Sequence, residues 1–360
     1  MRICIIGDGL VSLALANVLI QKDLSVEILF NSKNKRYDKT RTLGISKSNV
    51  DFFNNEIINI KKLLWKIKNI KVCSENLSNK EILNFENGKQ QIFSMIKNHK
   101  LYDILNKNLK KSKFAKFINN TDYKNIIKKK YKLIINCDPN HEVTKFFSSG
   151  RLDKNYNSFA YTTIINHKKI SKNDTAFQNF TKKGPIAFLP ISNTETSVVY
   201  SLRSDKDKNK ANIKNLINKF NPKYSIIKIN NYTRFKLKSS SPRKYYKDNI
   251  LEFGELLHKI HPLAGQGFNM TLRDIKLLSQ LIDDKINIGL DLDGSVCQEF
   301  QKRSQDKNYI FSRGVDWIYE LFNFESKINT KLISKTINVI GKNKFINTLF
   351  KRIADSGVRI

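Results

Sequence analysis

The sequence predicts an α/β protein in which a Rossmann-like domain is interrupted by a β-rich domain and followed by C-terminal helices. First, a strand, a glycine turn, a helix and a second strand follow one another within the first thirty residues. Second, short apolar runs separated by turn residues fill 155–245, which is typical of strands. Third, another glycine turn at 265–267 lies between a short strand and a helix, and the last sixty residues have a helical pattern.

The N-terminal run is the first candidate binding site. Residues 2–6 and 25–30 are apolar and strand-like, 7–9 contain the turn Gly7-Asp8-Gly9, and 10–20 have helical periodicity. Glycines let the backbone turn sharply and approach a pyrophosphate, and the start of the helix offers free N–H groups. A Gly-x-Gly turn also occurs as a purely structural turn in other α/β proteins. Its position between a strand and a helix favours dinucleotide binding here.

Two positions depart from the usual dinucleotide-binding pattern. Ser12 stands where a third glycine is usual, and its small side chain still permits close packing of helix on strand. The acidic residue that normally ends the second strand and binds a ribose is replaced by Phe30, which Asn31 follows. Glu27 lies within the strand and is expected to point elsewhere. The ribose contact is therefore expected to be missing or replaced.

The remaining patterns set the expected domain boundaries. Helices are expected at 46–53, with Ser46 or Ser48 as the N-cap, and at 101–109 and 205–220. Short strands are expected within 70–100, and a buried strand at 132–137. The Rossmann-like domain is predicted to comprise 1–75, 100–150 and 246–322, the β-rich domain 76–99 and 151–245, and the C-terminal helices 323–360.

The chain is strongly basic. Its 360 residues contain 65 Lys and Arg against 32 Asp and Glu, a formal net charge of +33. The lysines are scattered and mixed with Asn and Ile, whereas a nucleic-acid site is usually clustered and contains Arg. The composition therefore argues against a nucleic-acid partner. It leaves open a general compositional bias and an attraction to an anionic membrane surface.

Cysteine usage and hydropathy indicate a cytoplasmic protein. Cys4, Cys73, Cys137 and Cys297 are far apart and form no CxxC pair, so neither a zinc site nor a disulfide framework is predicted. Asp8 interrupts the apolar N-terminal run, which argues against a signal peptide. No run reaches the roughly 18 apolar residues of a spanning helix. Any membrane association is expected to be peripheral, on the inner face of the cytoplasmic membrane.

The strongest motif is the run FGELLHKIHPLAGQGFNMTLRD at 253–274. Gly265 and Gly267 allow close backbone approach, and the following helix dipole can stabilise negative charge. Here the sequence resembles the UbiH/UbiF-type FAD-dependent hydroxylases of ubiquinone biosynthesis, which are class A flavoprotein aromatic monooxygenases. In that family a Gly-Asp pair contacts the ribityl chain, and a Pro-x-x-Gly-x-Gly turn brings a helix to the isoalloxazine ring. Glu255 replaces the family's Asp.

Further stretches resemble the same family. RTLGIS at 41–46 looks like its Arg-containing motif near the cofactor, and FTKKGPIAFLP at 180–190 resembles its substrate-domain strand that faces the flavin. FSRGVD at 311–316 resembles its C-terminal helix, whereas 55–130 match weakly. The family's second signature, used for both FAD and NAD(P)H, is altered. Asp138 is in register, but Pro139 replaces a glycine, fixes φ near −65° and removes a backbone donor.

The resemblance implies an FAD-binding domain of the GR2/PHBH type, a β-sheet substrate domain and a defined set of site residues. No side chain is expected to be catalytic, because the flavin performs the chemistry. No metal is expected, because no further ligand accompanies His258 and His261. Substrate-facing positions are Phe188, Pro190 and His261. Cofactor-binding positions are Gly7, Gly9, Leu10, Val11, Ser12, Asn31, Arg41, Asp138, Gly254, Glu255, Pro262, Gly265, Gln266, Gly267, Phe268 and Asn269.

The activity implied by the resemblance is hydroxylation of the aromatic ring of a polyprenylated phenol through a flavin C4a-hydroperoxide. It requires FAD, O₂ and NAD(P)H as electron donor, and it implies a quinone-biosynthesis complex as a further partner. A degenerate FAD-binding paralogue acting as a non-catalytic scaffold is the alternative, favoured by the altered positions. A flavoenzyme of another reaction type, such as a dehydrogenase or halogenase, is a third; the halogenase Trp-x-Trp-x-Ile motif is absent.

The C-terminal region contains an amphipathic pattern. Phe345, Ile346, Leu349, Phe350 and Ile353 fall on one helical face, with basic residues around its margins. A similar pattern precedes it at 332–340. Such a face either packs on the protein's own core or binds a partner or an anionic membrane, and the sequence leaves both open.

Overall fold

The computed structural model describes residues 2–30, 39–86, 90–119, 122–147, 150–203, 212–328 and 330–358. The predicted cofactor contact Asn31 lies outside the described residues. The strands are β1 Arg2–Ile6, β2 Ser25–Phe30, β3 Thr42–Ser46, β4 Trp65–Ile67, β5 Asn69–Ser74, β6 Lys80–Glu86, β7 Phe93–Lys97, β8 Ala115–Asn119, β9 Leu133–Asn136, β10 Arg151–His167, β11 Thr175–Thr181, β12 Gly184–Pro190, β13 Glu195–Arg203, β14 Ile226–Ile229, β15 Thr233–Pro242, β16 Tyr246–Lys247 and β17 Ile250–Glu252.

Helices occupy the connections between strands and most of the C-terminal hundred residues. None of the described helices combines the length and apolar composition that crossing a bilayer requires. The helices are α1 Leu10–Ile20, α2 Lys47–Glu56, α3 Asn98–Lys111, α4 Tyr123–Lys128, α5 Ile213–Lys219, α6 Gln266–Asn287, α7 Gly294–Lys327, α8 Leu332–Gly341 and α9 Lys344–Ser356.

A six-stranded sheet in the order β16-β17-β9-β1-β2-β8 forms the Rossmann-like part. β1 pairs in parallel with β2 and β9, so that Ile5 lies opposite both Ile28 and Ile135. β1, α1 and β2 have the bounds that the sequence predicts. All residues of α1 from Ser12 to Ile20 are buried, because the helix lies between this sheet and α3 and α6. The largest hydrophobic cluster forms here, and the predicted βαβ opening is confirmed.

An eight-stranded sheet forms the β-rich part. Its order is β14-β10-β13-β12-β11-β5-β6, and β15 also pairs with β10. α5 covers one face and buries Phe188, Tyr200 and Leu202 with its own Ile213 and Ile217. β5 pairs in parallel with β11, so Asn69–Ser74 belongs to this sheet although the predicted boundary falls at 75. A buried strand edge must be hydrogen-bonded, and β5 supplies the partner for β11. β3, β7 and β4 form a small third sheet between the two.

The C-terminal helices cover the outer edge of the eight-stranded sheet. β6 is the edge strand, and α8 and α9 donate side-chain hydrogen bonds to its carbonyl groups: Asn338 to Glu81, and Asn347 to Asn84, at 3.0 and 2.9 Å. Gly341 lies against β6 so closely that a Cβ atom there would be 2.2 Å from Leu83 Cδ2. One face of α8 and α9 therefore packs on the protein itself and protects an exposed strand edge.

Candidate functional site

The first glycine turn follows β1. Gly7 has φ +103°, and a Cβ atom there would lie 3.3 Å from Cβ of Asp138. Gly9 is the N-cap residue of α1 and supplies no capping side chain. A Cβ atom at Gly9 would meet nothing within 4 Å, so the space beside the first turn of α1 is open. The exposed N–H groups of a helix start suit an anion at this place.

Loops after β9 and β17 adjoin this turn. β17, β9 and β1 are neighbours in parallel register, so their carboxyl ends share one edge of the sheet. Gly254, with φ +68°, follows β17, and a Cβ atom there would be 2.9 Å from Val11 Cγ1. Asp138 Oδ1 accepts a hydrogen bond from the backbone N–H of Asn140, at 2.9 Å, within its own loop. The predicted positions 7–12, 138 and 254 are thus brought together, and Glu255 is exposed beside them.

The second glycine turn is held by one buried side chain. Gly265, with φ +63°, is the N-cap residue of α6 and is exposed. Asn269 Oδ1 accepts from the backbone N–H of Ser46 at 2.8 Å, and Asn269 Nδ2 donates to the carbonyls of Gly44 and Gly265 at 2.9 and 3.2 Å. Asn269 is 2% exposed, so its side chain is committed to joining β3 to the turn.

The other predicted residues of this turn differ in their surroundings. Pro262 and Gly267 are partly exposed, and Phe268 packs against the main hydrophobic cluster. Gln266 Oε1 is buried and has no hydrogen-bond donor among the described residues. A buried acceptor without a donor is costly unless a ligand supplies one. Gln266 is therefore the side chain of this turn that fits a bound hydrogen-bond donor.

Arg41 and Thr42 connect the Rossmann-like part to the eight-stranded sheet. The exposed guanidinium of Arg41 lies 5.7 Å from the ring centroid of Phe235 in β15. Thr42 Oγ1 donates to Ser197 Oγ of β13 at 2.8 Å. Arg41 therefore lies between the two parts, and its contact with a cofactor stays a prediction. The contribution of Thr42 and Ser197 has no signal in the sequence.

Strand alternation places the predicted substrate contacts Phe188 and Pro190 on the same face of β12. Phe188 is buried with Tyr200 beneath α5, and Pro190 shares its parity along β12. Leu189 points to the opposite face and packs near Trp65 and Met95 of the small sheet. Phe188 and Pro190 therefore lie on the face that α5 covers, and Leu189 lies on the opposite face beside the small sheet. All three are apolar, so the sequence could not fix which of them faces the cleft.

The predicted substrate contact His261 is fully buried. Its ring stacks on Tyr319 at 4.2 Å between centroids and meets the edge of Tyr156 at 5.2 Å. Burial lowers the pKa of His261 to about 3, so the imidazole is neutral at physiological pH. Its ring nitrogens have no hydrogen-bond partner among the described residues. The side chain thus lies behind the turn, between β10 and α7.

His258 anchors the loop between the two turns. His258 Nε2 lies 2.5 Å from Asp274 Oδ2 of α6, and Asn308 Nδ2 of α7 donates to the other oxygen at 3.0 Å. These side chains are buried. Across the described residues, no group of three His, Cys, Asp or Glu side chains is arranged to hold a metal. His258 therefore positions the loop that ends at the second turn.

A buried ion pair fixes the start of the same loop. Arg151 at the start of β10 donates through Nη1 to Glu252 Oε2 at 2.8 Å, through Nε to Ser240 Oγ at 3.1 Å, and through Nη2 to the carbonyl of Leu256 at 2.5 Å. Glu252 is fully buried, and desolvation raises its pKa to about 7 despite the opposing effect of Arg151. Sequence reasoning did not identify this pair.

The C-terminus reaches the same region. Asp355 of α9 accepts through Oδ1 from the backbone N–H of Ser48 at 2.9 Å, and its carbonyl accepts from the hydroxyl groups of Ser46 and Ser48. Ser46 occupies the N-cap position of α2, as predicted, but its side chain makes no capping bond to that helix. An acidic residue from α9 supplies the cap instead, which no local sequence pattern could indicate.

We predict that Asn269→Ala destabilises the second turn. The change leaves the Ser46 N–H and the Gly44 carbonyl without their partner, which should lower the free energy of unfolding by about 1–3 kcal/mol. Amide hydrogen exchange at Ser46 should accelerate. Asn338→Ala, which removes one exposed hydrogen bond to Glu81, is the matched control and should cost no more than about 0.5 kcal/mol. Equal losses of unfolding free energy in both variants would contradict the role of Asn269 in holding the second turn.

We also predict a pH dependence that originates at Glu252. Because folding raises its pKa from 4.5 to about 7, the native state holds a proton that the unfolded chain releases. The stability this group contributes is fully present below about pH 4.5 and is lost as the pH rises through about 7. Chemical unfolding at about pH 5, 6, 7 and 8 should show that loss in the wild type and a shallower one in Glu252→Gln. If the stabilities of the wild type and Glu252→Gln fell equally with pH, Glu252 would not be the source of the pH dependence.

Known proteins are similar to this chain in sequence over part of its length. No family model matches the chain. It is 26% identical over 217 residues to the mitochondrial ubiquinone biosynthesis monooxygenase COQ6 of Caenorhabditis elegans, covering 48% of each chain. It is 29% identical over 157 residues to the 3-demethoxyubiquinol 3-hydroxylase of Escherichia coli K12, covering 42% of this chain and 40% of the relative. The chain spans about half the length of the curated relatives it matches.

Solved structures match over almost the whole chain. The p-nitrophenol 4-monooxygenase PnpA of Pseudomonas putida DLL-E4 superposes with a TM-score of 0.76 at 12% identity, covering 99% of this chain and 98% of that one. HpxO of Klebsiella pneumoniae, solved with FAD and uric acid, gives 0.75 at 11% identity, covering 99% and 97%. The resemblance drawn from the motifs is therefore confirmed: the chain is similar in sequence to ubiquinone-biosynthesis monooxygenases and has the fold of FAD-dependent monooxygenases.

Proposed function

We propose that this chain binds FAD and hydroxylates the aromatic ring of a polyprenylated phenol in ubiquinone biosynthesis. The observation that carries the proposal is a pair of glycine turns, each at the start of a helix. Gly254, which contacts Val11 beside the first turn, begins the loop that leads to the second turn at Gly265. Gly9 begins α1 and Gly265 begins α6, and neither residue has a capping side chain. Two helix starts suit the two parts of FAD that carry negative charge, the pyrophosphate and the reduced ring.

The residues present fit FAD. Open space beside Gly9 admits a pyrophosphate, and the exposed backbone of Gly265 admits a planar ring. Gln266 Oε1 lacks a hydrogen-bond donor, which an N–H group of the ring would supply. Bound FAD, reduced by NAD(P)H, supplies the activation of O₂. The residues proposed to hold it are Gly7, Gly9, Leu10, Val11, Ser12, Arg41, Asp138, Gly254, Glu255, Pro262, Gly265, Gln266, Gly267 and Phe268, with Asn269 positioning the turn.

The sheet face toward the turns suits a neutral, apolar substrate. Leu189 lies opposite Ser197 across β12 and β13, and Ala187 lies opposite Val199. These four side chains are small or apolar and carry no charge, so they offer a phenol ring and its prenyl tail an apolar wall and exclude water. A carboxylate-bearing substrate would find no cation among them. Leu189 is proposed as the substrate contact in place of Phe188 and Pro190.

The substrate also suggests where the protein works. A polyprenylphenol dissolves in the bilayer, so we propose peripheral association with the anionic inner face of the cytoplasmic membrane. A complex of quinone-biosynthesis enzymes is the second kind of partner that would deliver such a substrate. The apolar residues of α8 and α9 support the association with a membrane.

The FAD site predicts the behaviour of Gly9→Val. A branched side chain would fill the open space beside the first turn of α1, so the variant should purify without flavin absorbance while the wild type is yellow. Gly314→Val is the matched control, because position 314 also has nothing within 4 Å but lies in the exposed middle of α7. Stoichiometric flavin in Gly9→Val would remove the basis of the FAD assignment.

The activity itself predicts a product. Purified protein should oxidise NAD(P)H in the presence of a prenylphenol and O₂, and the phenol should gain one oxygen atom by mass spectrometry. A deletion strain should contain less ubiquinone and accumulate a prenylphenol that lacks one hydroxyl or methoxyl group. Bound flavin without phenol-dependent turnover would contradict the hydroxylase activity. Normal ubiquinone in a deletion strain without a paralogue would contradict the hydroxylase.

A further inference from the structure

An apolar stripe runs along the outer face of α7. Trp317, Leu321, Phe324 and Ile328 follow one another at spacings of four, three and four residues, which aligns them on one side of the helix. Trp317 is 69% exposed and Phe324 56% exposed. Ile310 extends the stripe toward the N-terminus by one heptad. The amphipathic pattern noted in the sequence began at 332 and did not include this helix.

The inner face of α7 is already occupied by the protein's own core. Phe311, Val315 and Phe322 are buried in one cluster, against which Ile337 of α8 and Ile353 of α9 pack. A surface helix needs one apolar stripe to attach to a globular core, and its opposite face is normally polar. Among the described residues, the second stripe of α7 therefore lies outside the packed core.

The neighbouring helices repeat this arrangement. Leu332 and Val339, seven residues apart on α8, are 69% and 71% exposed. Phe345 on α9 is 77% exposed, and Leu349 one turn later is also exposed. Since α8 and α9 contribute inner residues to the same cluster as α7, the outer rows of all three helices belong to one contiguous helical layer. Contiguous exposed apolar patches on soluble proteins mark interaction sites.

The exposed charges around the rows of α8 and α9 are basic, whereas α7 also carries the half-exposed Glu320 and, one turn before Ile310, the exposed Asp306. Each of the carboxylates between 313 and 358 has a partner within the protein: Asp316 with Tyr156, Glu320 with Lys154, Glu325 with Ser334, and Asp355 with Ser48. The basic residues point outward. The exposed cations of this layer are Lys327, Lys331, Lys335, Lys342, Lys344 and Arg352.

We propose that the outer faces of α7, α8 and α9 form a docking surface for an anionic lipid bilayer, with Trp317 seated at the lipid–water interface. Apolar rows flanked by cations match acyl chains beneath anionic headgroups, and tryptophan favours that interface. A second copy of the chain fits less well, because pairing these faces would bring like charges together and protein interfaces are depleted in lysine. No described helix is suited to span the bilayer, so the attachment lies on its surface.

This surface lies next to the second glycine turn. Leu263 of the turn and Phe311 belong to one buried cluster, against which Ile260, Ile337 of α8 and Ile353 of α9 pack. A bilayer on the outer face would therefore be separated from the turn by one layer of helices. The proposal rests on the proposed function, because a bilayer docked at this surface would bring a membrane-dissolved phenol close to the site.

The test uses the full-length holoenzyme and the fluorescence of Trp317. The chain has two tryptophans, so Trp65→Phe leaves Trp317 as the only tryptophan. With vesicles of phosphatidylcholine and phosphatidylglycerol, its emission should shift to shorter wavelength, and brominated lipid should quench it. Phosphatidylcholine alone should bind at least about tenfold more weakly, and raising salt from about 50 to 500 mM should weaken binding similarly. Cosedimentation of the wild type with the same vesicles provides a readout that does not depend on Trp65→Phe.

Point variants locate the surface without removing α9, whose Asp355 caps α2. Leu321→Gln combined with Phe324→Gln should weaken vesicle binding at least about tenfold and leave flavin content and circular dichroism unchanged. Ile227→Gln is the matched control, because Ile227 is 71% exposed on β14, outside the helical layer. It should bind like the wild type.

Two results would overturn the proposal. One is the absence of vesicle binding in both the fluorescence and the cosedimentation measurements. The other is a dimer in sedimentation velocity that the double variant disrupts, with Trp317 emission already blue-shifted before lipid is added, since the surface would then join two copies. Vesicle binding is measured without turnover, so a bound but inactive protein would contradict the hydroxylase and leave the docking surface standing.

Discussion

The candidate site depends on the parallel pairing of β17, β9 and β1. Parallel neighbours end at the same edge of a sheet, so loops that are distant in the chain meet there whatever lies between them. The glycine turn after β1, the Asp138 loop after β9 and the Gly254 loop after β17 are brought together in this way. Their contact is close: a Cβ atom at Gly7 would lie 3.3 Å from Asp138 Cβ, and one at Gly254 would lie 2.9 Å from Val11 Cγ1.

The second turn depends on a different interaction, the side chain of Asn269. Two of its hydrogen bonds join α6 to Ser46 and Gly44 of β3, and a third holds Gly265 of the turn. β3 in turn reaches the eight-stranded sheet through Thr42 and Ser197. Arg151 and Glu252 hold the start of the connecting loop, and His258 with Asp274 holds its middle. The loop from Gly254 to Gly265 is thus fixed by buried polar contacts along its length, as positioning a planar cofactor against the sheet requires.

The C-terminal helices serve two sides of the molecule at once. Their inner side protects the edge strand β6 and caps α2, so it is part of the fold. Their outer side carries exposed aromatic and aliphatic residues beside exposed cations. The two alternatives that the sequence left open, packing on the core and binding elsewhere, therefore apply to different faces of the same helices.

Local patterns in the sequence determined the βαβ opening, both glycine turns, the β-rich middle and the helical end, because 3.6-residue and two-residue periodicities and glycine turns need only near neighbours. Tertiary structure decided the rest. Leu189 and Phe188 point to opposite faces of β12, and because both are apolar only the strand register decides which face each one takes. Asp355 reaches Ser48, and Asn269 reaches Ser46, across most of the chain. The outer stripe of α7 looks like core in the sequence, because only packing tells which of two apolar faces a protein buries.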